Sequence, residues 1–519
     1  MKKFIITITS LFVTILTIAQ VGIGTNIPVS GSILELKAAD KALLLTRVAT
    51  TASVATPVNG MMVYDISSNC IKGYQNGAWT GCLSSCGAAS SVSGGGDFGL
   101  DFTSTMKQIS ATYDANGANA AGCVTTDGKV FYWGRNYYSS MVISSATIVP
   151  TPVYLPLPNG EVANKISLGG YCIMALTTAG NVYIMGSDGT PPAFGGFATV
   201  RVWTKIVISG ESTFTDASTT PYGRDSFLLG SSGKVYRCGQ GINVSASTYT
   251  QMLFPSGVTS YSAIWTDQIQ ASDACIFLKG NDNAIYACGA NYSGELGIGS
   301  TATVEMNATP VKVQFPTGVT IAKISCTSYG ICLAVSSTGI AYGWGKWNNG
   351  AATPLYNFAA TPIAGDISGN KILKPSPINL PTLNGDTKFT DVLVGYGYTA
   401  VKTDKMVYYK GENKDGVVMN PGTSDQQNYG SGSAYSIDTS GGSNYNVAAP
   451  VWNKFKTIIT GGASHAAIYA ISESDKGYVW GNFSYGNAGI GAGQGSSQIY
   501  KPMPIGTGIG DPVNPNPLY

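Results

Sequence analysis

Seven times along the chain a small-residue turn is followed by a short β-prone run with an aromatic residue and then a glycine. The run reads GKVFYWG at 128–134, GNVYIMG at 180–186, GKVYRCG at 233–239 and NAIYACG at 283–289. It continues as GIAYGWG at 339–345, DKMVYYKG at 404–411 and KGYVWG at 476–481. The closing glycines, at 134, 186, 239, 289, 345, 411 and 481, lie 52, 53, 50, 56, 66 and 70 residues apart. A period near 50 residues marks a repeat architecture. Within one period the apolar residues form short runs between Gly-bearing turns, as in KISLGG, CIMALTTAG and NVYIMG between residues 165 and 186. Such runs predict antiparallel strands. An extended, proline-bearing piece, TPVYLPL at 151–157, joins one unit to the next. Three or four strands per period make a propeller blade, and closing the units into a ring removes exposed sheet edges. The prediction is an all-β chain with a seven-bladed β-propeller over residues 105–505; a β-solenoid is the competing arrangement.

The stretches GGYCIMALTTAGNVYIMG (169–186) and SHAAIYAISESDKGYVWG (464–481) resemble regulator-of-chromosome-condensation repeats. Those repeats run His-Ser-x-Ala-Leu-x-x-x-Gly-x-Val-Tyr-x-Trp-Gly and continue Asn-x-x-Gly-Gln-Leu-Gly. The continuation stands here as GANYSGELGIG at 289–299 and, more loosely, as GNFSYGNAGIG at 481–491. The resemblance implies a seven-bladed propeller. The repeats are degenerate: the family's histidine is kept as His465, and Cys172, Asp225, Cys275 and Ile331 take its place in other blades. The nucleotide-exchange role of the family's nuclear members is therefore not carried over.

Residues 1–19 combine Met1-Lys2-Lys3 with the apolar run FIITITSLFVTILTIA, which reads as a signal peptide cleaved before Gln20. The protein is expected to be exported, secreted or at the cell surface, with no membrane insertion. Residues 20–88 form a small β-rich module, reading VGIGTNIPVSGSILELKAADKALLLTRV and then PVNGMMVYDISSNCIKGYQNGAWTGC. It resembles an N-terminal segment of Bacteroidetes surface and secreted proteins. Asn76-Gly77 between Tyr74 and Trp79 is a hairpin signal. The module has little apolar content for a core of its own, so attachment, display or oligomerisation is expected of it. A Gly/Ser linker at 89–104 and a tail at 506–519 complete the division. Two stretches, 346–384 and 412–450, read as inserted loops, functional or irregular.

Charge narrows the function. There are 30 Lys and Arg against 28 Asp and Glu; without Lys2 and Lys3 the two balance. No basic cluster is present, which excludes a nucleic-acid partner. The 30 tyrosines suit contacts with protein or glycan. A single histidine, His465, with scattered acids and no phosphate-cradling loop, points away from an enzyme and from any cofactor. The cysteines lack metal-ligand spacing, so no metal site is expected. In an exported chain they suggest disulfides. A Cys275–Cys288 cross-strand bridge and two buried free thiols are the alternatives there, and one pair among Cys70, Cys82 and Cys86 could bridge. The expected function is binding or adhesion through a propeller face. An inhibitor of a secreted enzyme, akin to propeller-type β-lactamase inhibitors, and a glycan-active enzyme are the alternatives. Aromatics after the closing glycines and in the longer insert are the candidate ligand contacts: Tyr137, Tyr138, Tyr292, Trp347, Tyr429 and Tyr485.

Overall fold

The structure is a computed structural model. It describes residues 21–23, 34–36, 44–68, 70–75 and 77–80, then 104–112, 120–136, 148–169, 172–186, 200–220, 225–239, 246–266, 275–326, 330–346, 367–368, 371–380, 385–395, 398–405, 407–411, 435–436, 455–461, 467–483 and 497–505. The chain divides into two compact units, residues 1–96 and 97–519.

In the first unit the strand Met62–Asp65 pairs antiparallel with Cys70–Gln75 and parallel with Arg47–Val48. Tyr74 lies opposite Trp79 and Gln75 opposite Ala78, the register the hairpin signal requires, and the two rings meet edge to face at 5.1 Å. Alternation along Met62–Asp65 sends Val63 and Asp65 inward and Met62 outward. Asp65 organises the unit: its carboxylate accepts from Ser67 Oγ, Lys72 Nζ and the Ser68 and Thr51 amides. The Ser67 and Lys72 bonds hold its carboxyl well below the ordinary carboxylate range. Cys70 is disulfide-bonded.

The second unit holds seven sheets of four or five strands among the described residues, each a contiguous antiparallel stretch of chain. The first strands are Met106–Ala111, Ala163–Leu168, Phe214–Thr219, Tyr261–Thr266, Ile321–Cys326, Phe389–Gly395 and Phe455–Gly461. Each packs against the first strand of the next sheet, and the last against that of the first, so these strands surround the axis. Every one of them carries a register shift after its first residue. The residue skipped is exposed each time, from Lys107 to Lys456. A bulge there steepens the twist that a propeller blade needs. The second strands are buried along their whole length in blades one to three, five and seven, and blade four departs at one residue. They read as continuous apolar runs because both faces are covered by neighbouring blades.

Hydrophobic clusters fill the joints between blades. The residue before the closing glycine is wholly buried as Trp133, Trp344 and Trp480 in blades one, five and seven. Met185, Cys238 and Cys288 take that place in blades two to four. The closing glycines have a structural cause, seen at Gly345: its φ is +88°, and an added Cβ would land on the carbonyl of Gly330, just before the paired strand Ile331–Ser336.

Several sequence expectations change. Cys275 and Cys288 are not opposite one another: Cys275 pairs with Gly289, and Ile276 with Cys288. The turn between them is one residue longer than a two-residue hairpin, with Asn283 left-handed at φ +63°. One residue of shift sends the two side chains to opposite faces, and both are buried. A disulfide joins instead Cys326 and Cys332, directly paired within the next blade, with Cα atoms 4.2 Å apart. The position shared by Cys172, Asp225, Cys275 and Ile331, opposite each closing glycine, belongs in the last blade to Ala467. His465 precedes it by two residues and lies outside the described residues. Part of the insert at 346–384 is regular: Ile367–Ser368 and Lys371–Pro377 form an outer hairpin on the fifth sheet. Residues 1–20 and 506–519, and all of 412–450 but 435–436, lie outside the described residues.

Candidate binding site

Of the six aromatic candidates, Tyr292 is the one described; Tyr137, Tyr138, Trp347, Tyr429 and Tyr485 lie outside the described residues. Tyr292 follows the closing Gly289 and belongs to the loop at 291–299. Its side chain is 57% exposed. The backbone around it is fixed from three directions.

Asn291, fully buried, donates through Nδ2 to the carbonyls of Ser300 (2.8 Å) and Ala302 (2.9 Å) and accepts from the Leu296 amide at 2.9 Å. It thereby ties the two ends of the loop together. Leu296 is fully buried in the cluster of the fifth blade. The Glu295 carbonyl accepts from Trp344 Nε1 at 2.7 Å and lies 3.4 Å from Cys332 Sγ. Lys371, on the outer strand of the fifth blade, donates to the Tyr292 carbonyl at 2.7 Å. The loop is therefore a bracket from blade four onto blade five. Its Asn and Leu do packing work and its tyrosine is held out in solvent.

Glu295 is the electrostatic feature of the loop. Its carboxylate accepts from the Ser293 amide, yet the residue is 4% exposed. Burial pushes its pKa above the ordinary glutamate value, against backbone hydrogen bonds and the charge of Lys371. Gly330 abuts Ser293 so closely that an added Cβ would collide with the serine side chain. The disulfide-closed hairpin of blade five thus backs the loop.

A second cluster lines the axis. Lys165 Nζ meets Asp216 Oδ1 and Lys323 Nζ meets Asp391 Oδ1, each at 2.5 Å between neighbouring blades. Two residues further along these first strands, Ser110, Ser167 and Ser325 accept the amides of Leu168, Thr219 and Val394 in the next blade, at 3.0, 2.9 and 3.0 Å. These groups stitch blades together. The two acids are engaged by lysines, so the arrangement favours rigidity over acid–base chemistry.

A third arrangement is one that sequence reading missed. Tyr183 donates to Glu161 at 2.7 Å, Tyr236 to Glu211 at 3.3 Å and Tyr286 to Asp282 at 2.9 Å. The tyrosine of the repeated Val-Tyr or Ile-Tyr pair latches an acid from a connecting segment or turn. In blades three and four the second strand ends in glycine rather than Thr or Ser: a Cβ on Gly230 would overlap the Glu211 carboxylate, and one on Gly280 would crowd Asp282.

Residues 282–334 match the model of the Regulator of chromosome condensation (RCC1) repeat, which spans this loop and its disulfide hairpin. Residues 22–94 match the model of a Phage tail like trimerisation region. Among curated proteins, the human E3 ubiquitin-protein ligase HERC2 is 25% identical over 253 residues, 47% of this chain and 5% of that protein. The Arabidopsis thaliana ultraviolet-B receptor UVR8 is 24% identical over 236 residues, 46% of this chain and 41% of that protein. The chain thus spans less than half the length of either relative. Among solved structures, human WBSCR16 has a TM-score of 0.53 at 17% identity, covering 73% of this chain and 93% of that one. Yeast Prp20 bound to Kap60 has a TM-score of 0.52 at 15% identity, covering 81% and 90%. Prp20p of Saccharomyces cerevisiae, whose structure was reported with its binding to Gsp1p and histones, has a TM-score of 0.51 at 14% identity, covering 69% and 82%. The second unit has the fold of the RCC1 propellers and carries a repeat similar to theirs.

Proposed function

We propose that the protein is a secreted or cell-surface binding protein that engages a protein or glycan through the loops that follow its closing glycines. The observation that carries this reading is Tyr292, an exposed aromatic on a loop tied by the Asn291 side chain and by backbone bonds at Tyr292, Glu295 and Leu296. A rigidly held tyrosine contributes contact area with little ordering cost on binding. The fold it shares with Prp20p, whose reported partners are proteins, supports the same class of function. The lysine-paired acids of the axis and the balance of charge support binding over catalysis.

In the same reading the N-terminal unit, similar to a trimerisation region, assembles three chains and multiplies the propellers. Weak single contacts then act together, since linked sites raise the effective concentration of the second contact. The segment at 1–19 exports the chain.

The test uses the purified full chain on a glycan array and in pull-downs from spent culture medium. Tyr292→Ser should weaken capture of the ligand found there about tenfold, a hot-spot loss of roughly 1–2 kcal/mol. Capture unchanged by Tyr292→Ser would discard this loop as the contact. Cleavage of an arrayed glycan would discard the binding reading.

A further inference from the structure

Among the described residues of the first unit, one face of the small sheet is apolar and exposed. On Met62–Asp65 the inward residues are spoken for: Val63 is 6% exposed, and Asp65, at 1%, is saturated by Ser67, Ser68, Thr51 and Lys72. The outward side carries Met62, 51% exposed, and Tyr64, followed by Ile66, also 51% exposed. On the paired strand Tyr64 stands opposite Ile71, and Met62 opposite Gly73, which has no side chain to shield it. Arg47, aligned with Tyr64 on the parallel neighbour, lays its guanidinium 5.1 Å from that ring. It is spread over the face as a cation–π lid. Leu44, just before this strand, is 82% exposed, and Val58, in the segment leading to Met62, is 60% exposed. So much exposed apolar surface on a unit of under 100 residues is unlike a surface that stays in water.

We propose that this face, Met62, Tyr64 and Ile66 with Arg47, is the contact through which copies of the chain associate. The proposal rests on the assembly reading of the N-terminal unit given above, and it names the surface. The occupant is a second copy of the chain, for three reasons. The region matches a trimerisation model. The side opposite is consumed by the Asp65 network, so one side remains for contact. Among the described residues the face bears one charged group, Arg47, which rests on the Tyr64 ring in a cation–π contact, and a largely apolar strip suits burial against its like rather than against a charged partner. A three-fold ring brings the same strip of each chain to the next without an open end.

The experiment compares full-length wild-type protein with Met62→Lys/Ile66→Lys and with the conservative Met62→Leu/Ile66→Leu, each by light scattering behind size-exclusion chromatography. Both positions are exposed, so the propeller's thermal unfolding should be unchanged in all three. Wild type and the leucine variant should run at three times the chain mass and the lysine variant at one. A lysine variant that still runs at three would overturn this face while leaving assembly through the unit intact. A wild type that runs as a single chain at every concentration would overturn both.

Discussion

Glu211 shows how much of the joinery between blades two and three is carried by single side chains. It is buried, yet accepts from Ser231, the Ser232 amide and hydroxyl, and Tyr236. Burial opposes its ionisation, but these donors outweigh it and hold its pKa below the ordinary glutamate value. Glu161 is lowered in the same way by Asn181, Tyr183 and Thr177. A carboxyl whose pKa is depressed by folding adds stability that is present above its unfolded value, about 4.3, and lost as pH falls through the folded value. Glu211→Gln should therefore lower the melting temperature at pH 7, by an amount corresponding to roughly 1–2 kcal/mol, and flatten the loss of stability below about pH 4. A melting-temperature series in pH that keeps its wild-type slope in the variant would show that the charge is not the source. None of these latches was legible in the sequence. The acids stand 22, 25 and 4 residues from their tyrosines, so no spacing announces them, and Tyr183, Tyr236 and Tyr286 read simply as strand formers.

At the scale of single elements, the hairpin ending in a closing glycine was the most legible part of the chain. Its constraint is local. Backbone approaches backbone at Gly345 with φ at +88°, and only glycine meets both demands. Gly345→Ala is expected to destabilise the blade by about 1–3 kcal/mol from backbone strain alone, seen as an earlier midpoint in urea unfolding. Register within the hairpins was less legible. The Cys275–Cys288 spacing centres on Asn281-Asp282, which would be right for a two-residue turn, but Asn283 adopts the left-handed conformation that Gly128, Gly180, Gly233 and Gly339 take in other blades. Alignment of Asn283 with those glycines was the signal that would have shifted the register. The Cys326–Cys332 bridge had its own signal, since the pair is symmetric about residue 329, between the two runs that form the first strands of blade five. The candidate ligand contacts were the least legible. Of the motif GANYSGELGIG, Asn291 and Leu296 proved to be packing residues and Tyr292 alone an exposed one, a division set by blade five, which lies some 30 to 80 residues further on.

For the whole molecule, the ring and its repeat were legible because the period is a property of the entire chain. How the ring is closed was not. Among the described residues no strand is shared between the first and last sheets; the seventh ends on Ser497–Pro504 and the first begins on Met106–Ala111. The joint is made by Met106, 1% exposed, among Tyr469, Ile471, Val479 and Ile505, by its amide on the Asp475 carbonyl at 2.6 Å, and by Gly477, where a Cβ would strike the methionine sulfur. Met106→Ala should cost about 2–5 kcal/mol as a core truncation, and hydrogen exchange should rise first in the first and seventh sheets. Uniform exchange around the ring would show that the joint is no weaker than the others.

That joint also determines where the ring yields under load. A pull on the chain from the side of residue 104 arrives at the innermost strand of the first blade, across which, among the described residues, no strand of the last blade is woven to share the strain. The ring would part at the Met106 joint and peel blade by blade. Under tension from that side the ring would thus behave as a mechanical fuse, with its first failure set by one buried methionine.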